Sequence, residues 1–251
     1  MSTSKYPDVI SERDPRPSRR DADPHDPRPL RRRAGALALI ASPAALLLSE
    51  VLYRGTDDPA QLVADAARSS GAIVLSNVAL LVSSALLLPA AYAVLHLARD
   101  RGRRLALTGA SLATLGALGH AAYVGFSTVV LSTPAGDRAE MVALLTRVNH
   151  GPGIAPIGLC ILSFALSLPF LTFGAWRAGL VPLWGPVAVL VAVGLEIVGV
   201  PGVLGGVAKE SLALVAMGAI GWRVLRLGDD AWGPAPTASG DVVARTVTTG
   251  R

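Results

Sequence analysis

Six long apolar runs divide this chain of 251 residues, near Ala34–Leu52, Ala72–Leu97, Leu105–Leu131, Ile154–Ala175, Gly185–Val200 and Val207–Leu225. A helix needs about 20 apolar residues to cross a hydrocarbon core roughly 30 Å thick. Most of the runs meet that length, so the sequence predicts an all-α, polytopic membrane bundle of six transmembrane helices. Hydrophobic residues make up 51% of the chain and charged residues 16%. The charges fall almost entirely between the runs or in the tails, whereas a soluble core would spread them along amphipathic helices.

The formal net charge of +5 argues for membrane topology and against a nucleic-acid partner, because the Arg residues flank the ends of the runs. Arg31–Arg33 precede the first run, Arg99, Arg101, Arg103 and Arg104 follow the second, Arg177 follows the fourth, and Arg223 and Arg226 close the sixth. All of these share one side if the spans alternate. The opposite loops mix Asp, Glu and Arg. Excess Arg marks the cytoplasmic side, so both termini are expected inside. Trp176, Trp184 and Trp222 fall at the same boundary, where an indole is favoured at headgroup level. Lys occurs only at Lys5 and Lys209, and the Ala, Gly and Arg usage resembles that of a GC-rich bacterial genome. The expected location is therefore the bacterial inner membrane.

Residues 1–33 form an arm rich in Pro, Arg, Asp and Ser, and 227–251 form a similar tail. Neither buries enough apolar surface to offset ordering entropy, so both are expected to be disordered around a membrane domain at 34–226. The first run reads as a retained anchor. Two outer loops carry helix signals. Asp58-Pro59-Ala60-Gln61 places an N-cap, a Pro at the first helical position and a Gln at the third, which is a capping-box arrangement. Asp137 and Glu140 repeat the pattern ahead of Met141, Leu144, Leu145 and Val148. Two short amphipathic helices on the outer surface are expected there, either as surface connectors or as a lid. Cys160 is the only cysteine, which excludes an intrachain disulfide.

The run from Ala34 to Tyr53, the acidic Asp57-Asp58-Pro59 loop helix, and the paired long spans of Ala72–Leu131 about a basic turn resemble a family of bacterial integral membrane proteins, domain of unknown function 4386. The resemblance covers roughly residues 34 to 226 and is one of pattern. It implies a membrane fold and carries over no activity.

Ionisable groups inside a membrane are costly and so point to function. Glu50, His120, Glu196 and the Lys209–Glu210 pair stand out, with Asn77 beside them. At about 1.5 Å of rise per residue, Glu50, Asn77, His120 and Glu196 all come out in the outer half. Gly109, Ala113, Gly116 and His120 are spaced 4, 3 and 4, which sets them on one helix face of small residues suited to close packing. Glu50, Asn77, His120, Glu196 and Lys209 are thus a candidate polar binding layer. Structural roles compete with that reading: Glu50 paired to Arg54, Glu196 to Lys209, and His120 bonded to Ser or backbone of a neighbouring helix.

A metal site is disfavoured because no two His lie three or four residues apart, and no cofactor fingerprint or nucleophile elbow is present. Ser163 and Ser167 read as back-bonding hydroxyls. The functional expectation is a non-enzymatic, permease-like or accessory membrane component. The alternative is an intramembrane, hydrolase-like enzyme using His120 with Glu196 or Glu50. The expected partner is the lipid bilayer. Arg16, Arg19, Arg20, Arg28 and Arg31–Arg33 are candidates for anionic lipid. Spans this poor in polar residues do not make a water-filled pore in one copy, which leaves a homo-oligomer open.

Overall fold

The computed structural model of the chain describes residues 28–228, apart from 54, 57, 134 and 199–202, together with Trp232. Among these residues the fold is all-helical, with seven α-helices: α1 (Arg28–Leu52), α2 (Pro59–Leu97), α3 (Arg103–Leu131), α4 (Arg138–His150), α5 (Ala155–Arg177), α6 (Trp184–Val198) and α7 (Val203–Arg226). Single 3-10 turns precede α4 and α5. Five helices are long and apolar enough to cross a membrane: α1, α2, α3, α5 and α7. The sixth expected span is α6, which has 15 residues and a more apolar composition than any of the five. Large aliphatic side chains such as Leu37, Val74, Leu118, Leu159 and Val191 face outward from the bundle. That is the surface of a protein solvated by lipid.

The long helices close into a ring. α1 packs between α2 and α7, α2 against α3, α3 against α5, α5 against α6, and α6 against α7. The main core joins Leu39 of α1, Leu87 and Val94 of α2, Ala106 and Ala113 of α3, Leu171 of α5, and Met217 and Ile220 of α7. α3 and α5 approach most closely. A Cβ built on Gly109 would lie 2.8 Å from Leu171, and one on Gly119 2.7 Å from Cys160, while Gly116 lies against the backbone of Phe164. Gly109 and Gly116 are two of the small residues that the spacing had put on one face. Without a hydrophobic drive between helices in lipid, such contact is what dispersion and shape supply.

Two glycines set the turns at the basic end. Gly102 caps α3 at φ +95 with Gly174 O only 2.6 Å from where its Cβ would lie. Gly179 takes φ +75 after α5, and the Leu180 and Gly179 N–H groups bond back to Ala175 O and Trp176 O at 2.9 Å each, a Schellman closure.

The first loop helix, residues 59–68, runs into the long span of α2 across a break at Ser69, whose backbone is not helical (φ −137, ψ 38). Asp58 does cap it, accepting from Ala60 N at 2.9 Å. The reciprocal half of the capping box is absent, because Gln61 accepts from Thr56 Oγ1 and the Asp58 N–H goes to that same hydroxyl. Val63, Ala66 and Ile73 of α2 meet Val130 of α3 and Leu145 of α4 in a second, smaller core.

The expected arm at 1–33 and tail at 227–251 lie outside the described residues except for 28–33, 227, 228 and 232. α1 begins at Arg28, six residues before the first apolar run, so Arg31–Arg33 are helical. Arg32 is buried and donates to Val224 O, Leu225 O and Leu227 O, at and just past the end of α7. Trp232 is buried on the same end, with its carbonyl 3.0 Å from His96 Nε2 and its ring 4.7 Å from the imidazole.

Candidate functional site

Away from the Arg-rich end, the six ring helices part around a cavity of about 260 Å³. Each helix supplies part of its wall. The apolar body comes from Leu46, Leu80, Phe164, Leu168, Val189 and Ala213. The polar wall holds Glu50 and Tyr53 of α1 and its end, Ser76 and Asn77 of α2, His120 and Tyr123 of α3, Glu196 of α6, and Lys209 and Glu210 of α7. All five side chains of the expected polar layer line this one cavity: Glu50, Asn77, His120, Glu196 and Lys209.

Lys209 organises the charged part. Its Nζ lies 3.1 Å from Glu50 Oε1, in short contact with Glu196 Oε2, and 3.6 Å from Glu210 Oε1. The ammonium therefore ties α1 and α6 to α7. The expected Glu196–Lys209 pair is present. The expected Arg54 partner of Glu50 lies outside the described residues; Glu50 pairs with Lys209. Gly206, one turn before Glu210, leaves room for this: a Cβ there would come 2.6 Å from Glu50 Oε2. That Oε2 is buried without a hydrogen-bond partner among the described residues.

His120 stands on the wall across the ring. It is buried, and its ring lies 4.4 Å from that of Phe164. Nδ1 is 2.8 Å from Ser84 Oγ, and that same Oγ is 2.9 Å from Leu80 O. A serine hydroxyl has one proton. Both contacts are satisfied together when Ser84 donates to Leu80 O and His120 donates from Nδ1. The Nε2 lone pair then remains as an acceptor. Asn77, also buried, donates from Nδ2 to Ser127 Oγ at 2.9 Å, which ties α2 to α3.

Tyr53 and Tyr123 flank the polar wall. Tyr53 lies one residue past α1, and its phenol is pushed up to about 12, first by burial and then by the nearby carboxylate of Asp65. It is a neutral hydroxyl at physiological pH.

Five polar wall residues were not in the sequence-derived layer: Ser49, Tyr53, Ser76, Tyr123 and Glu210, the last singled out only as the neighbour of Lys209. Spacing could have found the tyrosines, because each follows a layer residue by three, Tyr53 after Glu50 and Tyr123 after His120. That spacing shares a helix face. The α1–α2 seam was also legible in principle. Ser49 Oγ meets Ser76 Oγ at 2.9 Å, and Ser42 Oγ donates to Ser83 O at 2.9 Å. The two serines of each helix are seven residues apart, in opposite chain directions. Ser163 and Ser167 bond to Leu159 O and Phe164 O of their own helix.

No group of three or more His, Cys, Asp or Glu with metal-binding geometry occurs among the described residues. Comparison of the chain with family models, with curated proteins and with solved structures finds no match.

Proposed function

We propose that this chain is a non-enzymatic, permease-like membrane protein of six spans that admits a small ligand into the cavity between its helices. The observation that carries the reading is the cavity itself. A ligand site in a helix bundle is a mostly apolar pocket with a few convergent polar groups, and this one has aliphatic and aromatic walls with charge gathered at one side. Treating α6 as the sixth span gives it about 22 Å at 1.5 Å per residue. The Arg-bearing helix ends, together with the exposed indoles of Trp176, Trp184 and Trp222, support a cytoplasmic basic end in a bacterial inner membrane. The cavity then lies in the outer half. Arg31 and Arg33 are exposed at the basic end, a suitable contact for anionic headgroups. Kinship with the 4386 family belongs to the same proposal, carried by the acidic start of α2 and the pairing of α2 with α3.

The test is phenotypic. His120→Ala and Glu196→Gln should each reproduce the growth or transport defect of cells lacking the protein, with the variant present in the membrane at wild-type level. Wild-type behaviour of both variants would overturn the reading.

A second reading, a hydrolase-like enzyme with His120 as base, is favoured by the uncommitted Nε2. Against it, Glu196 and Glu50 are engaged by Lys209 and do not orient the imidazole, and Ser84 is not on the cavity wall. Ester hydrolysis by the purified chain that disappears in His120→Ala would favour the enzyme.

A further inference from the structure

The groups around the cavity are unevenly matched. Three carboxylates, Glu50, Glu196 and Glu210, surround the single ammonium of Lys209. Among the described residues on the wall the formal balance is negative, and no second Lys or Arg lines the cavity. The uncommitted atoms are acceptors as well. Glu50 Oε2 is buried without a hydrogen-bond partner among the described residues, and His120, at 7% exposure, presents an Nε2 lone pair when its Nδ1 donates to Ser84. The missing half of this arrangement is a donor with positive charge.

An inorganic metal ion does not fit, since no cluster with ligand geometry is present among the described residues. An anion would face carboxylates in a setting where apolar helices screen poorly. An ammonium group offers three donors and no acceptor, the complement of what the wall presents. The rest of the cavity is apolar, with Phe164, Leu168 and Val189 available to cover a hydrocarbon body. The rings of Tyr53 and Tyr123 sit on the polar side, where aromatic faces favour a cation.

We infer that the cavity takes a small organic cation with an apolar body, of the protonated alkylamine class, its charged head among Glu50, Glu196 and Glu210 and its chain against Phe164 and Leu168. The inference rests on the binding role proposed above and adds the chemistry of the ligand.

The test uses the full chain in lipid nanodiscs, with Cys160→Ala to remove the native thiol and Ala192→Cys to place one on the cavity wall. Three methanethiosulfonates of similar size are compared: neutral hydroxyethyl, cationic trimethylammonioethyl and anionic sulfonatoethyl. Each rate is divided by that reagent's rate with free 2-mercaptoethanol. The neutral reagent should react, and the cation should react at least about ten-fold faster than the anion, the scale of focusing by a charged cleft. Butylammonium should slow the neutral reagent in a saturable way, and butan-1-ol should not.

In Glu50→Gln/Glu196→Gln the cation-to-anion ratio should fall towards one. Glu210→Gln, which leaves the two closer partners of Lys209 in place, should lower the ratio in part and covers the case in which the double variant does not fold. An anion rate equal to or above the cation rate, a ratio unchanged by Glu210→Gln, or equal protection by butan-1-ol would overturn the inference while leaving an accessible cavity. Failure of the neutral reagent to react would overturn the binding role, and the inference with it.

Discussion

Lys209 occupies the most consequential position of any single residue in the bundle. Its side chain is 13% exposed and touches carboxylates from three helices. Removing one partner from a buried ion pair leaves the other charge uncompensated, which costs about 3–5 kcal/mol. Glu196 is half-exposed, so the low end of that range applies. Lys209→Met should therefore lower the thermal stability of the detergent-solubilised chain by about 3 kcal/mol. The double variant Lys209→Met/Glu196→Gln should recover part of the loss, as expected for directly coupled side chains. A thermal unfolding series in which the double variant falls by the sum of the single effects would show that the two residues are not coupled.

At the scale of the element, the α3–α5 seam is set by absent side chains. Gly109, Gly116 and Gly119 each place backbone or Cβ atoms of α5 where their own Cβ would be. Gly125 lies on the same helix with nothing within 4 Å of that point. Both positions are helical, so the intrinsic gain from replacing Gly by Ala, up to about 1 kcal/mol, is common to the two. The contact penalty is not, because overpacking costs typically 1–3 kcal/mol. Gly116→Ala should accordingly destabilise the protein, whereas Gly125→Ala should be neutral or mildly stabilising. Thermal unfolding of the two variants side by side measures the difference. Equal behaviour would mean that α3 and α5 do not pack as described.

For the molecule as a whole, the asymmetry of Arg between its two ends makes a prediction about orientation. A fluorescent protein fused after Arg251 should fold and fluoresce, because that end is proposed to lie in the cytoplasm. Alkaline phosphatase fused after Gly55 should be active, and after Gly102 inactive. The reverse pattern would invert the topology and place the cavity on the cytoplasmic side.

What could be read in advance divides along a physical line. Helix content, the small-residue face of α3, the back-bonding of Ser163 and Ser167 and the Glu196–Lys209 pair were legible, because each depends on local periodicity or on elements adjacent in the chain. The partner of Glu50 was not. Lys209 lies on the last helix, and nothing in the spacing of α1 indicates that the two helices touch. The inward turn of Arg32 onto the end of α7 escaped for the same reason, since a basic residue before an apolar run reads as an orientation signal. The start of α2 was legible as a capped helix set apart from the span, because Asp65 and Arg68 interrupt the apolar pattern and the backbone breaks at Ser69. The two carry an ion pair at 2.7 Å on the surface of that segment.

The seam between the first and last helices also has a consequence in time. α1 leaves the ribosome before the other described helices, yet one flank of it packs against α7, and the carbonyls that Arg32 meets lie at the end of that helix. During synthesis the cavity lacks the wall that α7 supplies. It comes into being when the last helix arrives, so a chain that stops before α7 leaves Glu50 without its ammonium and Glu196 without its anchor.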